Sequence, residues 1–131
     1  MAGILHRNIL GCGLGEIVVP ILTTSVRSSA LFPNDGVDFC FIDGEHSYES
    51  VTADLNAWWP KIRPGGMLAG HDYRGQEPWT IGLTPAVHDF FGVTDATHPN
   101  AANCWAMDKP AVTPTPSATE GTLLAIDAPP A

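Results

Sequence analysis

Two apolar, β-rich runs joined by one amphipathic helix pattern constrain this chain more than any other feature. Val37-Asp38-Phe39-Cys40-Phe41-Ile42 reads as a strand, and its largely apolar composition predicts an interior place in a sheet. Ser47 is placed as an N-cap and Glu49 favours the helix dipole in the first turn. Val51, Leu55, Trp58 and Trp59 then share one helical face before Pro60 closes it. Pro64-Gly65-Gly66 turns the chain into a second strand, Met67-Leu68-Ala69. A strand–helix–strand unit of this kind joins parallel strands, because the helix returns the chain to the end it started from.

The flanking segments extend the pattern. Residues 2–10 carry Ile4, Leu5, Ile9 and Leu10 at helical spacing, with Gly11 as a stop. Residues 17–22 are apolar and β-branched, which predicts a strand; Pro20 cannot donate to a ladder, so a sheet edge is expected. Residues 25–32 read as a short helix ended by Pro33-Asn34-Asp35-Gly36. Thr84-Pro85 caps a further helix with Val87, Phe90 and Phe91 inward and Gly92 after its end. Cys104-Trp105-Ala106-Met107 is the last strand. Strands alternating with helices predict an α/β fold with a mostly parallel sheet and flanking helices.

Composition sets the limits of that fold. The 131 residues suit one domain. Residues 110–131 hold Pro110, Pro114, Pro116, Pro129 and Pro130 and no Lys or Arg, so a mobile tail is expected there and a folded part over 1–109. A net charge of −8 excludes a counterion-displacing basic face and argues against a nucleic-acid partner. No apolar run approaches the roughly 20 residues that span a bilayer, so no membrane partner is expected. The opening residues lack the basic and long apolar regions of a secretion signal. Cys12, Cys40 and Cys104 have no metal-type spacing, and Cys40 and Cys104 lie in apolar runs. Cys40 and Cys104 read as reduced core thiols of a cytoplasmic protein.

Two strand ends carry the chemistry. The first strand runs abruptly into Asp43-Gly44-Glu45-His46, and the second into Gly70-His71-Asp72-Tyr73. Ligands of open α/β sheets bind beyond the carboxyl ends of strands. If the strands are neighbours, Asp43, His71 and Asp72 converge into a divalent-metal site with His46 close enough to act as a base. The other reading is that Asp43 and Asp72 cap turns, the histidines are solvated, and the acidic residues 43, 45, 49 and 54 form a solvated helix start. Spacing leaves both standing. Gly11-Cys12-Gly13-Leu14-Gly15 follows a helix and opens a strand, the reverse of a phosphate-cradling loop, and reads as a helix stop. His6 and His88 are expected at the surface and His98 in solvent, while Trp58 and Trp59 are expected in the core.

FIDGEHSYE and GGMLAGHDY at this separation resemble the latter part of a class I S-adenosylmethionine-dependent methyltransferase, of the kind grouped as methyltransferase family 24. The resemblance covers residues 25–72, with CWAMDK at 104–109 similar to the closing strand. It implies an incomplete Rossmann-like sheet, a partial methyltransferase domain over 1–109, and methyl transfer to a small hydroxylated acceptor. It places Thr24, Ser25, Val26 and Asp43 at the cofactor S-adenosylmethionine. It also places Asp43, His71 and Asp72 on Mg or Mn, and makes His46 the base that takes the acceptor proton.

The resemblance also has gaps. The acidic-Gly-x-Gly cofactor loop and the ribose-binding acidic residue of such enzymes have no counterpart here. In the family strand order 3-2-1-4-5-7-6, the strands without counterpart lie between residues 17–22 and 37–42. A truncated product, a split enzyme completed by another chain, or a remodelled remnant each meets this pattern. A homo-oligomer or a complementing chain is the expected partner, beside the small-molecule substrate. The alternatives to a methyltransferase are a non-catalytic assembly or binding module, and a metal-dependent enzyme without the methyl donor.

Overall fold

A computed structural model describes residues 2–78, 80–101 and 103–111. Most of the Pro-rich tail expected over 110–131 lies outside the described residues. The chain forms α1 (Ala2–Gly11), α2 (Ser25–Ser29), β1 (Val37–Ile42), α3 (Tyr48–Trp58), a 3-10 turn (Trp59–Lys61), β2 (Ile62–Gly70), α4 (Leu83–Phe91) and β3 (Trp105–Asp108). The sheet order is β1-β2-β3. β1 and β2 run parallel, and β3 returns antiparallel against β2. The fold is α/β, with helices against a sheet in which two of three strands are parallel.

The parallel pair places Phe39 opposite Met67, Phe41 opposite Ala69 and Ile42 opposite Gly70. Both strands therefore end level, and the residues that follow them share one rim. β2 is longer than expected because Pro64-Gly65-Gly66 is a bulge within the strand rather than a turn before it. The register slips between Val37 and Phe39, and Gly65 takes a φ of +75° at the slip. A backbone pair, Gly65 to Lys109 and Lys109 to Gly66, at 2.8 Å each, sews the bulge to the end of β3. The Lys109 ammonium donates to the Ile62 carbonyl at 2.7 Å and to Asp35 at 2.8 Å, holding the turn before β1 against the same place.

The core lies on one face of the sheet. Val51 and Leu55 of α3 and Ala86 and Val87 of α4 bury against Ile62, Leu68 and Trp105. Gly92 ends α4 in the left-handed conformation, with φ +66°. Helix α4 begins at Leu83, so Thr84 is not its cap; the Thr84 hydroxyl accepts from the Arg74 amide at 2.8 Å. Pro85 fits within the first turn, where no intrahelical N–H bond is required.

Two further expectations are corrected. Residues 17–22 form no strand, and Ile17, Val19 and Leu22 are 77%, 74% and 81% exposed. β-branched composition yields a strand only where a neighbour completes the ladder, and none lies beside this segment among the described residues. For the same reason β1 is not interior. It occupies one edge of the three-stranded sheet, with Phe39 and Phe41 about half exposed on the face away from α3. Among the described residues, no helix is long and apolar enough to cross a membrane.

Leu55 is fully buried whereas Ile4 of α1 is largely exposed. Leu55→Ala is expected to lose about 2–5 kcal/mol of stability in urea denaturation. Ile4→Ala is expected to stay within about 0.5 kcal/mol of wild type. Equal losses would show that α3 does not form the core contact.

Candidate functional site

The rim beyond β1 and β2 is built by two short connections. After Ile42, residues 43–46 bend toward α3, which Ser47 caps by accepting from the Ser50 amide at 3.3 Å. Glu45 folds back on this cap: it accepts from the Ser47 amide at 2.9 Å and from the Ser47 hydroxyl. These bonds, the hydroxyl first, hold its carboxyl below the usual value of 4.5. Glu45 thus serves its own turn. Gly82 lies directly against the His46 carbonyl and the Tyr48 amide, where a side chain would collide with backbone.

After Gly70, the His71 amide donates to the Ile42 carbonyl at 3.2 Å and carries the parallel ladder one step further. Asp72 then adopts a φ of +55°, an uncommon conformation outside glycine. The connection is anchored by Tyr73, which is 2% exposed. Its hydroxyl lies 2.6 Å from His88 Nε2 and accepts from the Ala96 amide at 2.8 Å. His88 is accordingly half-buried and engaged, a correction to its expected surface position. Gly70 is set by close packing: a Cβ there would approach Trp105 Nε1 to 2.5 Å and the Ile42 carbonyl to 2.6 Å.

Asp43, His46 and Asp72 meet on this rim, each offering one donor atom, all within 4.8 Å of one another. Ligand distances of about 2.0–2.6 Å place donors around one cation up to about 5 Å apart. His46 Nε2 lies 3.1 Å from an Asp72 oxygen, yet it is buried without a hydrogen bond of good geometry. Two carboxylates and an unbonded imidazole nitrogen suit a divalent cation such as Mg or Mn. His71 stands outside the three-residue cluster; its Nδ1 lies 3.2 Å from the other Asp72 oxygen.

Beside this cluster, two adjoining clefts of about 160 and 410 Å³ open between α2, α3 and the end of β1. Ser25 and Asp43 line the smaller, and Thr24, Ser25 and Val26 the larger. Trp58 Nε1 donates to the Ser25 hydroxyl at 2.9 Å, fixing α2 on α3. All four residues expected at the cofactor therefore border one or the other of these neighbouring clefts. Cys40 borders the smaller cleft, and burial, then the nearby Asp54 charge, push its thiol up to about 11. The reading of residues 43, 45, 49 and 54 as a solvated helix start is corrected at Asp54. It is only 7% exposed, and the signal was its place three residues after Val51 and beside Leu55 on the buried helical face.

A family described as a methyltransferase domain matches residues 5–73, more than half of the chain. The chain belongs to this methyltransferase-domain family. An uncharacterised protein of Acanthamoeba polyphaga mimivirus is 36% identical over 73 residues, 56% of this chain and 29% of that protein. The solved O-methyltransferase NovP superposes with a TM-score of 0.58 at 21% identity, over 79% of this chain and 43% of that chain. A crystal structure of a Corynebacterium glutamicum protein gives 0.52 at 20% identity, over 72% and 49%. These likenesses show the Rossmann-like fold. The methyltransferase-family chain spans less than a third of the viral relative and under half of each solved neighbour.

Ser47→Ala removes both the cap and the principal donor to Glu45. NMR titration is expected to show the Glu45 carboxyl rising toward 4.5, with a stability loss of about 0.5–2 kcal/mol from the lost cap. A depressed carboxyl stabilises above its ordinary value and loses that contribution as pH falls through the lowered one. The difference between wild type and variant is therefore expected to narrow in acid. An unchanged Glu45 titration would remove the hydroxyl from this role.

Proposed function

We propose that this rim carries out S-adenosylmethionine-dependent methyl transfer to the oxygen of a small hydroxylated acceptor, assisted by a divalent ion. The observation that carries the reading is His46 Nε2, buried and without a hydrogen bond beside the carboxylates of Asp43 and Asp72. A buried polar atom is unfavourable without a partner, and a cation supplies one. When bound, the ion orients and acidifies a hydroxyl and the cofactor brings an electrophilic methyl group. Asp43, Asp72 and His46 would hold the ion. His71, beside the second Asp72 oxygen, keeps that carboxylate turned toward the cluster. Thr24, Ser25 and Val26 wall the cofactor space, and the level ends of β1 and β2 set the distance between it and the acceptor.

A second reading makes His46 the base that accepts the acceptor proton, and its closeness to Asp72, which would stabilise the imidazolium, favours it. Titration calorimetry with Mn and S-adenosylmethionine separates these cases. Asp43→Ala and Asp72→Ala are expected to lose Mn binding. His46→Gln lowers Mn affinity roughly tenfold or more if His46 is a ligand. It leaves that affinity unchanged and slows transfer by about 10²–10⁴ if His46 is the base. No heat from wild type with either Mn or S-adenosylmethionine would instead identify a binding or assembly module without catalysis.

The open edge of β1, with Phe39 and Phe41 about half exposed, supports pairing with a second copy or a complementing chain as part of the same reading. Sedimentation analysis is expected to show self-association at micromolar concentration that Phe39→Lys weakens. A strictly monomeric wild type would remove self-pairing.

A further inference from the structure

Three segments of the fold meet on one hydroxyl next to the candidate site. Tyr73 directly follows Asp72 and is 2% exposed. Its hydroxyl accepts from the Ala96 amide at 2.8 Å. The Ala96 carbonyl accepts in turn from the Ala106 amide of β3 at 2.9 Å, which ties this contact to the sheet. An amide N–H can only donate, so the hydroxyl proton is left for His88 Nε2, 2.6 Å away on α4. Nε2 is therefore the acceptor, and the ring proton of His88 sits on Nδ1.

The turn depends on such an anchor. Asp72 and Arg74, on either side of Tyr73, both take left-handed conformations, with φ of +55° and +58°. Residues other than glycine persist there only where their surroundings hold them. The Tyr73 amide donates to the Asn103 carbonyl at 2.9 Å, and the Arg74 side chain lies 5.3 Å over the Tyr73 ring. Two ties reach α4. The one from the Arg74 amide to Thr84 is exposed, whereas the one from Tyr73 to His88 is partly buried and so less open to competition from water.

We propose that His88 is a positioning residue of the candidate metal site, which by accepting from Tyr73 holds the turn that presents the Asp72 carboxylate beside His46. This rests on the reading that Asp43, His46 and Asp72 hold a divalent ion. His88 itself lies outside that cluster and acts through Tyr73 alone. Without its acceptor the buried hydroxyl proton has no partner, and the turn is released to move the Asp72 oxygen that now lies 3.1 Å from His46 Nε2.

The test measures Mn binding by titration calorimetry on the full 131-residue chain, with thermal melting to confirm that each variant folds. His88→Leu, which fills the space but cannot accept, is expected to weaken Mn binding about tenfold. His88→Gln, whose side-chain oxygen accepts from Tyr73 in place of Nε2, is expected to restore wild-type affinity. Tyr73→Phe is expected to match His88→Leu, and the double variant to be no weaker than either. Tyr48→Phe removes a different hydroxyl bond to α4, at Asp89, and is expected to leave Mn binding unchanged. Should His88→Leu not fold, Tyr73→Phe and His88→Gln decide, since Tyr73→Phe removes one oxygen and no ring volume. Wild-type affinity in folded His88→Leu or Tyr73→Phe overturns the inference and leaves the metal reading intact. A loss in His88→Gln as large as in the hydroxyl-deleted protein also overturns it. No Mn binding by wild type overturns the metal reading and this inference together.

Discussion

The parallel register that sets Ile42 beside Gly70 is the constraint on which the rest of the structure depends. Strand pairing alternates faces residue by residue, so a one-residue slip would separate Asp43 from Asp72 and turn the core residues of β2 outward. Gly70 enforces the register sterically, pinned between the Ile42 carbonyl and the Trp105 ring. The amide bond from His71 to Ile42 continues it into the rim. Because β3 runs antiparallel on the far side of β2, Trp105 reaches back to this same point from the opposite direction. The candidate site is therefore an extension of the sheet's hydrogen bonding into two connections held at their roots.

Buried polar groups that find partners hold this fold together. Tyr73 is as buried as any core residue, but its hydroxyl engages both His88 and the Ala96 amide, and its role is to hold the turn after β2. Lys109 likewise spends its ammonium on Asp35 and the Ile62 carbonyl to close the far end of the sheet. His46 Nε2 is buried with no such bond. Burial of this kind is tolerated where a ligand completes it. The positive φ of Asp72 fits the same pattern of local strain beside a site.

Much of the rim was legible in the residues themselves. An apolar strand that breaks into Asp43 and His46, followed by Ser47 as an N-cap, places those side chains at a strand end whatever the wider fold, because capping and alternation are local effects. The motif pair FIDGEHSYE and GGMLAGHDY pointed to the methyltransferase family that the match over residues 5–73 bears out. Residues 17–22 were misread because their composition speaks only to β preference, and a strand exists only with a neighbour. Asp54 was grouped with the solvated acids of a helix start because its burial depends on how the neighbouring elements pack against α3.

Sequence alone determined every element type but that of residues 17–22, the capped entry to α3, the α/β class and the residues at the two strand ends. These follow from periodicity, turn chemistry and local hydrogen bonding, which act within a few positions of the chain. Tertiary structure decided that β1 lies at an edge, that β3 runs antiparallel, and that His46 rather than His71 shares the cluster with Asp43 and Asp72. It also decided which polar atoms are buried without partners. Such outcomes depend on how segments tens of residues apart pack, and burial is a property of that packing rather than of any residue's own preference.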